Sequence, residues 1–122
     1  MRISRRFKGP CVKLPNKAVN PFLIEGLKTV AFEMGEQLQW TVPDCIVVSM
    51  AEGSTIAAVW KGCCEMKRLG WISHVPRMIG VQAEGASPIY TARKEGSDPV
   101  AVSPSTVAEP LAAGAPRARR TA

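Results

Sequence analysis

The chain has one histidine, His74, one tyrosine, Tyr90, and only 6% aromatic residues among its 122. Its four cysteines, Cys11, Cys45, Cys63 and Cys64, contain no Cys-x-x-Cys pair. With a single imidazole and no paired thiols, the sequence gives little support for zinc ligation. No apolar run approaches the ~20 residues that span a bilayer. The first residues lack the apolar stretch of about 7–15 residues that a secretory signal needs, so none is expected there. Pro10, Pro15 and Pro21 count against the amphipathic helix of a transit peptide. The scattered aromatics never interleave with cations, so no base-stacking platform is expected. Adjacent Cys63 and Cys64 suit reduced thiols with different orientations, and a reducing cytoplasm is the simplest setting for them.

What is present is ordinary globular composition with a positive balance: 46% hydrophobic residues, 21% charged residues and a formal charge of +6. A small basic protein invites a nucleic-acid reading. The distribution of charge argues otherwise. Residues 1–17 carry six cations and no acid, residues 18–90 are net −2, and residues 91–122 are net +2. The excess therefore sits at the ends, and the middle is mildly acidic.

The chain divides by texture into a basic, proline-containing lead-in over 1–19, a patterned region over 20–90, and a Pro/Ala/Arg-rich stretch over 91–122 that reads as mobile. Asn20-Pro21 is a helix-start signal, an N-cap followed by proline at the first helical position. Leu23, Leu27, Val30, Ala31, Met34 and Leu38 recur at helical spacing, so the pattern predicts one amphipathic helix over 21–39. Residues 45–50 are a short β-branched apolar run, as expected of a strand buried on both faces. A small-residue turn, Ala51-Glu52-Gly53-Ser54-Thr55, precedes a second helix marked by Ile56, Val59, Trp60, Cys63 and Met66, closing near Leu69 with Gly70 as its cap. A second strand is predicted over 77–82, then another small-residue turn over 83–87. Within 91–122 only Ser105 to Ala113 suits a short helix.

Helix, strand, helix, strand in this spacing predicts an α/β fold with two parallel strands joined by a right-handed crossover. Two strands do not finish such a sheet, and a core built on 20–90 buries only about 60% of its unfolded surface. The chain therefore reads as part of something larger, or as needing a partner chain.

The strand–turn–helix at 51–55 is the strongest chemical signal. A strand that turns into a helix N-terminus presents unpaired N–H groups and the positive end of the helix dipole, an arrangement suited to an anion. Gly53 lets the backbone approach a phosphate, and the hydroxyls of Ser54 and Thr55 add donors. An ordinary N-cap by Ser54 or Thr55 accounts for the same pattern. The turn is neither a P-loop, since no Gly-Lys-Ser/Thr follows, nor a dinucleotide fingerprint, since it holds one glycine. Lys28 and Lys61 read as solvated helix positions, His74 as an exposed loop residue, Glu84-Gly85 equally as a contact to substrate or a loop at the ligand edge or as turn chemistry, and Trp40, Trp60 and Trp71 as packing residues.

Several blocks together resemble threonine synthases. They are residues 20–33 (Asn-Pro-Phe-Leu-Ile-Glu-Gly-Leu-Lys-Thr-Val-Ala-Phe-Glu), residues 40–48, residues 56–62, residues 76–89 and, loosely, Ser105-Thr106-Val107-Ala108. The resemblance implies a partial three-layer sandwich of the tryptophan-synthase-β-like, fold-type-II type, with pyridoxal phosphate as cofactor. It implies a family reaction that converts O-phosphohomoserine to threonine and phosphate, with an amino-acid substrate and neither nucleic acid nor membrane as partner. It places the phosphate turn at 51–55, with Gly53, Ser54 and Thr55 as cofactor-binding residues. Ala51 stands where the family usually has glycine, and Glu52 where asparagine is common; a carboxylate turned toward a phosphate dianion repels it. The family's Schiff-base lysine lies in a Ser-x-Lys-Asp motif, which does not occur here. No catalytic residue is therefore assigned. A truncated or degenerate member, a non-catalytic interaction or regulatory module, and a fragment of a related amino-acid dehydratase remain open on sequence alone.

Overall fold

The computed structural model describes residues 21–112. Asn20, Cys11, the lead-in 1–19 and the terminal arginines lie outside the described residues. The elements run α1 (Pro21–Leu27), α2 (Thr29–Gln37), β1 (Cys45–Ser49), α3 (Ser54–Arg68), β2 (Arg77–Val81) and α4 (Pro88–Glu95), with short 3-10 turns at Glu84–Ala86 and Glu109–Leu111.

The strands pair in parallel, Cys45 opposite Arg77 through Ser49 opposite Val81, with α3 as the crossover. The expected order and topology are thus present. The helix expected over 21–39 is instead two. The Thr29 hydroxyl donates to the Gly26 carbonyl at 2.8 Å, in competition with the helical N–H that would use it. The backbone tightens there into three-residue spacing, Lys28 N–H to Glu25 and Ala31 N–H to the Lys28 carbonyl. The break lies where α3 crosses most closely. A Cβ at Gly62 would stand 2.7 Å from the Ala31 Cβ and 3.1 Å from the Lys28 carbonyl oxygen.

Ala31, Val59, Cys63, Met66 and Ile72 form the buried core, with Ile46 and Met78 packed on it from the sheet. These contacts cover one face of β1 and β2. The other face is open among the described residues, and Val47 is 62% exposed. The expectation that β1 is buried on both faces is therefore corrected: the sheet has two strands, and α2 and α3 reach only the side that carries Ile46 and Met78.

α2 and α3 end alike. The Trp40 N–H reaches back to the Gly35 carbonyl at 2.7 Å, and the Trp71 N–H to the Met66 carbonyl at 3.0 Å. In each case the preceding residue, Gln39 or Gly70, has positive φ and closes the inner bond of the motif. Gly70 thus serves the capping role read from sequence. The two tryptophans meet edge to face with ring centroids 5.1 Å apart. Trp40, Trp60 and Trp71 are 41%, 50% and 49% exposed, so the packing expected of them is partial, and Trp40 and Trp71 find theirs largely in each other.

α4 runs across the boundary drawn at residue 90. Pro88 sits in its first turn and Gly96, at φ 66°, ends it. Further on, the Ser105 N–H donates to the Gly85 carbonyl at 2.9 Å. Residues 91–112 are thus partly built onto the domain. In place of the helix expected from Ser105 there is a turn at Glu109–Leu111. No helix among the described residues is long and apolar enough to cross a membrane.

Candidate functional site

The turn from β1 into α3 is fixed at both ends. On the strand side, the Met50 N–H donates to the Val81 carbonyl at 2.8 Å and extends the sheet ladder by one bond. On the helix side, Gly53 is the N-cap, in the left-handed region at φ 89°. Its carbonyl accepts the Ala57 N–H at 3.2 Å. Only a glycine holds that φ without strain, so the glycine is a geometric requirement here. Ala51 is not among the positive-φ residues, so its methyl does not obstruct the turn.

The cap reading by Ser54 or Thr55 is not what forms. Both lie inside α3, and no side chain caps the helix. The N–H groups of Ser54, Thr55 and Ile56 consequently have no partner within the helix, and the helix dipole adds positive potential where they point. Gly53, Ser54 and Thr55 follow one another through this corner, Gly53 as the cap and the other two as the first residues of α3. The Ser54 side chain is 5% exposed, and its hydroxyl donates to the Glu52 carboxylate at 3.1 Å.

Gln82, which sequence reasoning passed over, ties this turn to its neighbour. Its amide nitrogen donates to the Ala51 carbonyl at 3.1 Å. Its amide oxygen accepts the N–H groups of Ile89 and Tyr90 at 3.1 and 2.9 Å, two of the donors that the start of α4 leaves open. An uncharged amide directly after a strand and shortly before Ser-Pro was the available signal. Glu84-Gly85 is structural, as one of its readings had it: a Cβ at Gly85 would stand 1.8 Å from the Ser105 carbonyl oxygen.

Three of the four described lysines are engaged in hydrogen bonds or ion pairs. Lys28, expected on a solvated face, is only 14% exposed in its side chain. It binds both oxygens of Glu65, at 2.7 and 2.8 Å, and Glu25 at 2.6 Å. Lys28 keeps helical angles, φ −60° and ψ −28°, and shares a helix face with Ala31 and Gly35, which pack on α3. Hydrogen bonds to Lys28 and then Lys61 hold the Glu25 carboxyl below its ordinary range, and those to Glu25 and Glu65 push Lys28 up. Lys61 pairs with Glu25 while staying half exposed, and Lys67 donates to the Ser73 carbonyl. His74 is exposed, beside the Ser73 hydroxyl. Cys45, Cys63 and Cys64 are free thiols, and burial pushes the Cys63 thiol up.

Beside the turn an open cleft of about 1090 Å³ runs between α3 and α4. Met50, Met78 and Gly80 floor it, Ser54 lies on its border, and Arg93 and Lys94 line it from α4.

The residues fit one end of pyridoxal phosphate. The glycine-capped turn presents backbone donors to a phosphate, although Glu52 places a negative charge at its edge. For the aldehyde end, Lys28, Lys61 and Lys67 are already held by carboxylates or a carbonyl, while Lys94 lines the cleft from α4 with no ion pair among the described residues and stands outside any Ser-x-Lys-Asp motif.

The chain matches the family described as pyridoxal-phosphate dependent enzymes over residues 2–122. It is 43% identical over 101 residues to the threonine synthase of Methanocaldococcus jannaschii, covering 81% of this chain and 25% of that protein. It is 40% identical over 107 residues to the threonine synthase of Mycobacterium tuberculosis, covering 88% of this chain and 28% of that one. With the chloroplastic threonine synthase 2 of Arabidopsis thaliana the identity is 37% over 79 residues, 65% of this chain and 15% of the relative. The chain spans about a quarter of the length of the first two relatives. Its parallel α/β pairing, its glycine-capped turn and this match over nearly its whole length agree: the chain belongs to the pyridoxal-phosphate-dependent enzyme family.

Proposed function

We propose that this chain supplies the phosphate-binding turn of a threonine-synthase-like site. The observation that carries the reading is the N-terminus of α3, where Gly53 at φ 89° leads in from the strand and no side chain caps the helix, so that the N–H groups of Ser54, Thr55 and Ile56 have no helical partner. These groups bind the phosphate end, Gly53 keeps the backbone close, and Gln82 holds the turn in place. When bound, the cofactor supplies an electron sink for reactions of an amino-acid substrate. By resemblance to threonine synthases, the reaction served is conversion of O-phosphohomoserine to threonine and phosphate, and the free thiols Cys45, Cys63 and Cys64 favour a reducing, cytoplasmic setting.

These residues do not complete that reaction alone. The Ser-x-Lys-Asp motif is absent from the sequence, and the lysines nearest the core are held in ion pairs. The missing groups come from further segments or from a partner chain. The mildly acidic middle favours a small-molecule role over nucleic-acid binding.

Amide NMR shifts during titration with inorganic phosphate, carried to tens of millimolar, test the turn. The expected shifts centre on Ser54, Thr55 and Ile56; shifts confined to another region overturn the reading. In a separate arm, borohydride reduction in the presence of pyridoxal phosphate is expected to trap no site-specific lysine adduct. A single stoichiometrically labelled lysine overturns the claim that the chain is incomplete.

A further inference from the structure

The phosphate-turn reading leaves one side chain at the turn unexplained, and that side chain carries the wrong charge. We propose that Glu52 sets the anion selectivity of the turn, acting as an internal counter-charge to the N-terminus of α3 that holds dianionic phosphates off. The proposal rests on the phosphate-turn reading and adds what decides its affinity.

Glu52 directly precedes the N-cap Gly53, within reach of the positive end of the helix. Its charge has no competing claim, since the ion pairs among the described residues join Lys28 and Lys61 to Glu25 and Glu65 and leave Glu52 out. The carboxylate accepts the Ser54 hydroxyl at 3.1 Å. Ser54 is 5% exposed, so its hydroxyl has little access to solvent, and while it serves Glu52 it is withdrawn from any incoming anion. An arriving phosphate therefore meets a repelling charge and finds a donor already spent. Both effects grow with the charge on the ligand, so a dianion is penalised more than a monoanion or a neutral acceptor.

The free turn gains from the same arrangement. A carboxylate near a helix N-terminus is stabilising, so Glu52 does in the unliganded protein what a bound phosphate would otherwise do. Stability without ligand and affinity for phosphate are thereby opposed at one residue.

The test compares the full chain with its Glu52→Gln variant, using inorganic phosphate and pyridoxamine 5′-phosphate, which has no aldehyde to react with surface lysines. Glu52→Gln is expected to bind both about tenfold to a hundredfold more tightly, the range for an interaction that involves a charged group. Its amide shifts should centre on Ser54, Thr55 and Ile56. Without anion its melting temperature should fall by about 2–6 °C, and phosphate should restore it. Glu52→Asn should behave in the same way. Equal affinity in variant and parent, with shifts at the turn in both, overturns the role of Glu52 and leaves the phosphate turn standing. Shifts elsewhere in both proteins, or no binding by either, overturn both.

Discussion

The two ends of α3 are built from the same device and do opposite things. Each turns on a glycine of positive φ, Gly53 at 89° and Gly70 at 73°. At the C-terminal end, Gly70 curls the chain back so that its own N–H and that of Trp71 close on the Lys67 and Met66 carbonyls. At the N-terminal end, Gly53 leads the chain in from the strand, and the first N–H groups of the helix stay open. A left-handed residue after a helix consumes orphan acceptors, whereas one before a helix leaves orphan donors available. One end is closed and structural, and the other is open and chemical.

The largest expected effect removes the comparison altogether. Gly62→Val places a side chain where even a Cβ lies 2.7 Å from Ala31. It should cost about 2–3 kcal/mol in urea denaturation and loosen both ends together. Trp71→Ala acts on the closed end alone. Loss of the ring contact with Trp40 should cost about 1–2 kcal/mol while leaving phosphate-induced amide shifts at Ser54 to Ile56 unchanged. The sharpest form of the comparison pairs Gly70→Ala with Gly53→Ala. Each forces a Cβ into the left-handed region at about 1 kcal/mol, and unfolding should report nearly equal losses. Only Gly53→Ala should also weaken phosphate binding in the Glu52→Gln background. Equal effects on binding would mean that the open end has no special chemistry.

The smallest effect is one of pH. Folding holds the Glu25 carboxyl below its ordinary value of 4.5, so its contribution is complete above that value and is lost as pH falls through the lowered one. Lys28 is raised from 10.5, so its contribution is complete below that value and is lost as pH climbs through the raised one. The melting temperature should therefore dip at both extremes. In Glu25→Gln the acid-side dip should shrink, and a dip of unchanged size would show that the network adds nothing.

Much of the open end was legible in the sequence because its cause is local. A β-branched run, a small-residue turn and a helical period lie consecutively, and a glycine in such a turn has a definite steric use. Gly70 was legible for the same reason. What was not legible depends on residues far apart in the chain. Lys28 looked solvated because nothing near it in sequence shows that Glu65 comes to meet it. The split between α1 and α2 turns on a Thr29 hydroxyl that competes for one carbonyl, against a hydrophobic period that runs on without interruption. β1 looked doubly buried because its composition is that of a covered strand, while the described residues cover one side. α4 was missed because the later prolines coloured the reading of the whole stretch, although Pro88 and Gly96 bracket it with ordinary start and stop signals.

Gln82 makes the turn and α4 into a single lever. One end of its amide grips the Ala51 carbonyl and the other grips the first free N–H groups of α4. A shift of the turn when an anion arrives or leaves therefore pulls on Ile89 and Tyr90 without any ligand touching them. In hydrogen exchange, those two amides should open and close in step with the turn, and Gln82→Ala should set them free to exchange on their own.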